Sequence, residues 1–430
     1  MAVDQSAETP PIALLRDRFG EGAMRVSQLG ESLAARLSAP GDERDLFAWC
    51  DPDHLRRQAA ALDGWRARGR ALGDLHGVPL VLDDTIDAAF VPTGNGLSPD
   101  QARRPERDSA IAEGLRRAGL MIVGKSRCAE LRYGAGEATL GAIVARGLAQ
   151  AGIGVEADGH VIRQAAHSGL VGYRPSFGSV ARRGSLALSP SLDSPAVLAQ
   201  SVAEAALVAD AIIGADPDDR STVVAPHPAL HRQAAGEPLV KPLFGFVRTG
   251  DWGEADAAVQ AGLQELVAHL GSRCFEAELP PIFAECDIHY DRVLGPEASR
   301  SLAGFRERSG EAFSATLRER LDAGDSVLAR DYLASKDWQG VYRAGIHAIL
   351  DRCDAILTPA TAGPSACDNA GRTFRRIWQF AGLPVVTLPL LEDEAGRPVG
   401  VLLVGRHGED GRLLRTARWL EQLIQTGDTA

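Results

Sequence analysis

At 430 residues, 45% hydrophobic and 24% charged, the chain has ample apolar content for a large buried core and length enough for two or three domains. The formal net charge of −11 is spread along the sequence, without the basic stripe or aromatic-rich strand that nucleic-acid binding requires, so no nucleic-acid partner is expected. No stretch approaches the roughly 20 apolar residues of a membrane span, and the first eleven residues lack the basic and apolar regions of a signal peptide; no membrane partner is expected, and the expected location is the cytoplasm.

In chain order, residues 1–25 read as an N-terminal extension. Leu29, Leu33 and Leu37, then Leu55, Ala59, Leu62 and Trp65, recur at helical spacing, making 26–74 a helical arm within a mostly helical stretch that starts at residue 12. From Val78 on, short apolar runs alternate with helical segments. The expected strands are Val78–Leu82, Met121–Val123, Ala355–Leu357, Val385–Leu388 and Val399–Val404. Ser201–Ile213 reads as an alanine-rich packing helix, and 214–228, rich in Asp and Pro, as a loop. Residues 242–246, 255–270 and 275–279 form a β-α-β-like unit, and 282–350 reads as helical. The alternation implies an α/β fold, a mixed and largely parallel sheet covered by helices on both faces, in one domain over 26–425.

Several short motifs carry little chemistry. The six cysteines, Cys50, Cys128, Cys274, Cys286, Cys353 and Cys367, have no paired spacing, which fits a reducing compartment rather than a disulfide framework or a zinc ribbon. Gly134-Ala135-Gly136 is not followed by a phosphate-cradling lysine, and Gly124-Lys125-Ser126 lacks the upstream glycine of such a cradle, so Lys125 reads as structural. His227 and His231 are four apart, but Pro228 between them favours a loop over a metal-binding helix face. No metal or cofactor is expected.

One set of motifs is specific. It comprises Gly77-Val78-Pro79-Leu80-Val81-Leu82-Asp83-Asp84-Thr85-Ile86-Asp87, the loops Gly134–Leu140 and Gly154–His160, the run Ser168-Gly169-Leu170-Val171-Gly172-Tyr173-Arg174-Pro175-Ser176, and the C-terminal elements Asp354–Pro359, Gly382–Pro389 and Pro398–Gly405. Together they resemble the amidase signature family, which includes amidases and the glutamyl-tRNA amidotransferase A subunit, over about 26–422. The resemblance implies the amidase-signature fold, with 282–350 shaping the substrate cleft. It also implies a nucleophilic serine relayed through a second serine, held by a cis peptide bond, to a buried neutral lysine, because an unactivated hydroxyl is a poor nucleophile.

At those three positions this chain carries His160 for the nucleophile, Gly136 for the relay and Asp83 for the lysine. Gly136 cannot relay a proton, and a carboxylate is a weak base unless burial raises its pKa. The turn whose amides would stabilise an oxyanion carries Asp158 beside Gly159. Glu137, Glu156 and Asp158 add negative charge, with Glu156 standing for an aspartate of the family. Converging carboxylates would suit an amine, a guanidinium or a metal, but the preferred reading leaves Glu137 and Asp158 solvated and only Asp83 and His160 facing the cleft. A hydrogen bond between those two would raise the imidazole pKa and give a general acid or base near neutral pH. Asp84 and Asp87 are expected to hold loop backbone.

Three functional readings follow. The preferred one is a pseudo-amidase kept to bind a small ligand, around Glu137, Asp158 and Gly159, or a partner subunit. The second is an enzyme using Asp83 and His160 for proton transfer on a small carbonyl or amine compound. The third is a residual amide hydrolase with another nucleophile. The resemblance further implies a homodimer.

Overall fold

Alternation along the strands sends side chains into cores on opposite faces of one sheet: Leu80 and Leu82 pack into one cluster while Val81, between them, packs into another. The computed structural model describes residues 10–70, 72–364 and 372–427. Its strands are β1 (Phe47–Cys50), β2 (Pro79–Asp83), β3 (Met121–Ser126), β4 (Ala151–Glu156), β5 (Val171–Arg174), β6 (Ser194–Ala199), β7 (Phe244–Val247), β8 (Cys274–Ala277), β9 (Ala355–Pro359), β10 (Val385–Glu392) and β11 (Pro398–Val404). They lie in the order β1-β3-β2-β4-β6-β5-β10-β11-β9-β7-β8.

The sheet is mixed, with a smaller parallel share than the sequence suggests. Parallel pairing joins β2 to β3 and β4, and β7 to β8 and β9. The other six pairings are antiparallel. Four of these six involve β1, β4, β5 or β6, which the apolar runs do not mark; the other two join β11 to the expected β9 and β10. β4 reads Ala-Gly-Ile-Gly-Val-Glu, small residues that carry little strand propensity.

Helices cover both faces. They are α1 (Ile12–Glu21), α2 (Val26–Ser38), α3 (Pro52–Ala67), α4 (Ala110–Arg117), α5 (Leu140–Ala145), α6 (His160–His167), α7 (Val202–Asp210), α8 (Leu230–Ala235), α9 (Ala257–Leu270), α10 (Cys286–Ser309), α11 (Ala315–Asp325), α12 (Ala329–Leu350), α13 (Thr373–Phe380) and α14 (Asp410–Thr426). Helices α7, α9 and α14 pack on the face of Leu80 and Leu82. The opposite face holds α2, α3 and α5 at one end and α10 to α13 at the other. Helix α6 bridges these two clusters, giving Val161 and Ala165 to one and Ile162 and Ala166 to the other. The expected β-α-β unit is present as β7, α9 and the parallel β8. Helix α1 is tied down by its buried Ile12, Leu15 and Phe19 and by the bond from Ile12 N to Glu204 Oε1, 2.7 Å.

The five cysteines among the described residues are free thiols; Cys367 lies outside those residues. Among the described residues no helix is long and apolar enough to cross a membrane.

Candidate functional site

Parallel strands β2 and β4 run side by side, Leu82 opposite Ile153, and deliver Asp83 and Glu156 at their C-terminal ends. After Glu156 the chain turns through Ala157, Asp158 and Gly159 into α6, whose first residue is His160. Gly159 has φ +78°, the left-handed conformation that glycine adopts without a Cβ penalty. Glu156, fully buried, caps the new helix: its Oε2 accepts from Val161 N (2.7 Å) and Ile162 N (3.2 Å), while Oε1 pairs with Arg174 Nη1 at 3.3 Å. A carboxylate at a helix N-terminus meets two otherwise orphaned amides and the positive end of the dipole. Glu156 is therefore committed to the fold.

His160 bonds to Asp158. The Asp158 Oδ1 accepts from His160 N at 3.2 Å and lies 3.1 Å from His160 Nδ1. A carboxylate only accepts, so Nδ1 carries a proton and Nε2 is the atom left for base chemistry. The imidazole is 14% exposed and the Asp158 side chain 50%. Burial pulls the His160 pKa down; the hydrogen bond and charge of Asp158, then the charges of Glu156 and Asp83, outweigh it and hold the pKa above the ordinary 6.5. Burial opposes the Asp158 charge, and its bond to His160 and the nearby Arg163 and Arg375 overcome that and depress its pKa.

Asp83 does not make the hydrogen bond to His160 that would form an acid-base pair. Fully buried, it accepts through Oδ1 from Thr85 N (3.0 Å) and Thr85 Oγ1 (2.6 Å), and Oδ2 has no partner. A two-residue side-chain turn captures it before it can reach α6. Lys125, on the neighbouring β3, is also fully buried; its Nζ donates to Ile86 O, to Thr93 Oγ1 at 3.3 Å and to Asp83 O at 3.4 Å. Burial lowers its pKa, with Asp84, Asp83 and Asp87 opposing. Asp84 accepts from Gly94 N (3.0 Å) and Gly96 N (3.2 Å), and Asp87 pairs with Arg103 at 2.7 Å. Both hold the loop after β2.

Gly136 and Glu137 are exposed. The Gly136 backbone, φ +134°, lies so close to Ala129 that an added Cβ would sit 3.1 Å from Ala129 Cα. Among the described residues no group of three or more His, Cys, Asp or Glu is placed to hold a metal ion. His227 and His231 each face a backbone carbonyl, Asp210 O at 2.9 Å and Ala203 O at 3.4 Å.

Three further residues form the site, and periodicity gives no signal for them. Arg375, from α13, lies across Gly159, where an added Cβ would be 2.9 Å from Arg375 Cβ. Its Nε is buried without a partner, its Nη1 donates to Ala360 O at 3.3 Å, and burial followed by Arg163 brings its pKa down to about 10 against the pull of Asp158 and Glu156. Tyr290, from α10, donates to the carbonyl of Ala157, and Arg376 stacks over its ring at 4.5 Å while pairing with Asp287 (3.2 Å) and Asp291 (3.1 Å). The turn is thus clamped from two helices. One of its amides is already bound to a carboxylate, and a guanidinium side chain covers its glycine.

Comparison with known proteins agrees with the fold. The family model described as Amidase matches residues 31–139 and 134–414. The chain is 28% identical to the glutamyl-tRNA(Gln) amidotransferase A subunit of Synechococcus sp. (strain CC9605), over 96% of each chain, and 29% identical to that of Anaeromyxobacter sp. (strain K), over 93% of each. Among solved structures it superposes on the native peptide amidase from Stenotrophomonas maltophilia with a TM-score of 0.85 at 25% identity, covering 99% of each chain. It also superposes on a chain described as part of an unexpected vestigial protein complex that reveals the origins of an s-triazine catabolic enzyme, with a TM-score of 0.88 at 21% identity, covering 98% of this chain and 99% of that one. With the family model spanning most of the sequence and the fold shared end to end, the chain belongs to the amidase family.

Proposed function

We propose that this amidase-family chain has abandoned serine-based amide hydrolysis and serves as a pseudo-amidase, binding a small ligand at the old catalytic turn or acting as a partner subunit. The observation that carries the reading is the state of that turn: His160 N donates to Asp158 Oδ1 at 3.2 Å, and Arg375 packs against Gly159. An oxyanion hole needs amide donors that are free and aimed at developing negative charge, each worth about 3 kcal/mol. Here a carboxylate occupies one amide and would repel an oxyanion. The hydroxyls are absent as well, with His160 and Gly136 at the serine positions and Asp83 sealed against Thr85. The Asp158 carboxylate, Gly159 and the exposed Glu137 offer acceptors to a cationic or amide-bearing ligand. Support for a subunit role comes from the amidotransferase relatives, which are named as subunits.

The test is ammonia release from glutamine and from benzamide by the wild type and by His160→Ala. The expected result is no release above the uncatalysed rate in either. Turnover by the wild type that survives in the variant would overturn the proposal in favour of another nucleophile.

One observation favours a second reading, acid-base catalysis on a small carbonyl or amine compound. The Asp158–His160 contact at 3.1 Å fixes the tautomer and raises the imidazole pKa, as a carboxylate does for a general base. Asp158, rather than Asp83, is then the orienting carboxylate. Turnover lost in both His160→Ala and Asp158→Asn would establish this reading.

A further inference from the structure

Helix α12 places Lys336, Gln339 and Arg343 three and four residues apart, on one face. That face borders a cavity of about 250 Å³ whose other walls are Phe177, Pro190, Ser191, Ser221, Phe380 and Gly382. None of these residues belongs to the old catalytic loops. The volume is just below the usual range of about 300–1,000 Å³ for small-molecule sites, which limits an occupant to a few heavy atoms beyond one ring.

The polar groups of the wall are unequally committed. Ser191 Oγ donates to Glu297 Oε1 and receives Lys336 Nζ at 2.5 Å, and Lys336 Nζ also donates to Gln339 Oε1 at 2.7 Å. One ammonium hydrogen remains. Arg343 donates through Nε to Ala381 O at 2.7 Å, and among the described residues neither it nor Lys336 forms an ion pair. Glu297, whose charge acts on Lys336, is satisfied by Ser189 Oγ, Ser191 N, Ser191 Oγ and Tyr332 Oη, and it is not among the residues of the wall. Gly382, at φ +68°, makes room for Arg343: an added Cβ would lie 3.0 Å from Nη2 and 3.1 Å from Phe177 Cβ. Two half-buried cations with spare donors therefore stand beside two aromatic side chains, although most buried charges in folded proteins are paired.

We propose that this cavity binds a small carboxylate with a flat apolar body, an aromatic acid in class, with Arg343 and Lys336 on the carboxylate and the half-buried Phe177 against the ring. A planar guanidinium matches a carboxylate geometrically, and the Phe177 ring favours a planar body over a fully polar anion.

The test is calorimetric titration of the full chain with benzoate, benzyl alcohol and inorganic phosphate. Benzoate is expected to bind saturably, and benzyl alcohol and phosphate at least tenfold more weakly. Lys336→Met, which keeps the aliphatic stem, and Arg343→Gln are each expected to raise the benzoate Kd at least tenfold, with near-UV circular dichroism unchanged. His160→Ala is expected to bind benzoate like the wild type. Absence of saturable benzoate binding, equal binding of benzyl alcohol or of phosphate, or loss of binding in His160→Ala would each overturn the proposal. The wild-type comparison of the three probes decides the matter even where a variant misfolds.

Discussion

His160 Nδ1 lies 3.1 Å from Asp158 Oδ1, so the imidazole is oriented by a residue two positions away and not by Asp83 at the end of β2. The pair has a definite pH signature. Asp158 holds the His160 pKa above 6.5, so the stability this contributes is fully present below 6.5 and is lost as pH rises through the raised folded value. Asp158 is depressed from 3.8, and its contribution is present above 3.8 and lost as pH falls through the folded value. The contact is thus strongest between about 3.8 and 6.5. Asp158→Asn is expected to bring the imidazole pKa down, since burial then acts with less opposition, and NMR titration of the His160 ring reads this directly. An unchanged midpoint would show that the contact does not exist in solution.

Lys125 is the buried cation that remains beside Asp83. Its ammonium gathers Asp83 O, Ile86 O and Thr93 Oγ1, and it faces Asp83, Asp84 and Asp87. Lys125→Met leaves those acceptors open and the carboxylates without their central countercharge. A loss of about 3 kcal/mol is expected in urea unfolding. A second consequence concerns Asp84, whose pKa burial already raises against the attraction of Lys125. That pKa is expected to rise further in the variant.

Glu156 shows why a functional residue and a structural one look alike in sequence. It sits in one of the loops that the motifs single out, yet its two oxygens serve Val161 N, Ile162 N and Arg174. Glu156→Ala is expected to cost about 3–5 kcal/mol, because it strands a buried guanidinium and opens a helix N-terminus. Glu156→Gln, which retains an acceptor for the amides, is expected to cost less. Equal losses in the two variants would show that the cap contributes nothing beyond the ion pair.

These residues also mark what was legible in advance. Strands such as β9 and β11 announce themselves because both faces are buried and their apolar runs are continuous. Strand β4 stays hidden because its alternate glycines, Gly152 and Gly154, make room for Leu140, Val144 and Val161 from α5 and α6, a tertiary reason absent from local sequence. At the site, the loops that carry Asp83, Gly136 and His160 were readable from the motifs. Their partners were not, because a side chain chooses between Thr85 and His160, or between Asp83 and Asp158, by geometry within a turn. Arg375 and Tyr290 arrive from α13 and α10, far along the chain, with no spacing rule linking either to the turn.

Two glycines in the left-handed region separate the effect of conformation from that of contact. Gly159 and Gly396 have φ +78° and +72°, but a Cβ at Gly159 would lie 2.9 Å from Arg375 Cβ, whereas at Gly396 nothing lies within 4 Å. Alanine at either pays the conformational cost of about 1–2 kcal/mol. At Gly159 it also collides with the base of a side chain held by the α13 backbone, which cannot swing aside as a chain end can. The clash is expected to add about 1–3 kcal/mol to Gly159→Ala, and Gly159→Ala combined with Arg375→Gly is expected to recover that addition while Gly396→Ala with Arg375→Gly shows no such coupling. Chemical denaturation of the four variants measures both terms. If Gly159→Ala costs no more than Gly396→Ala, Arg375 does not cover the turn.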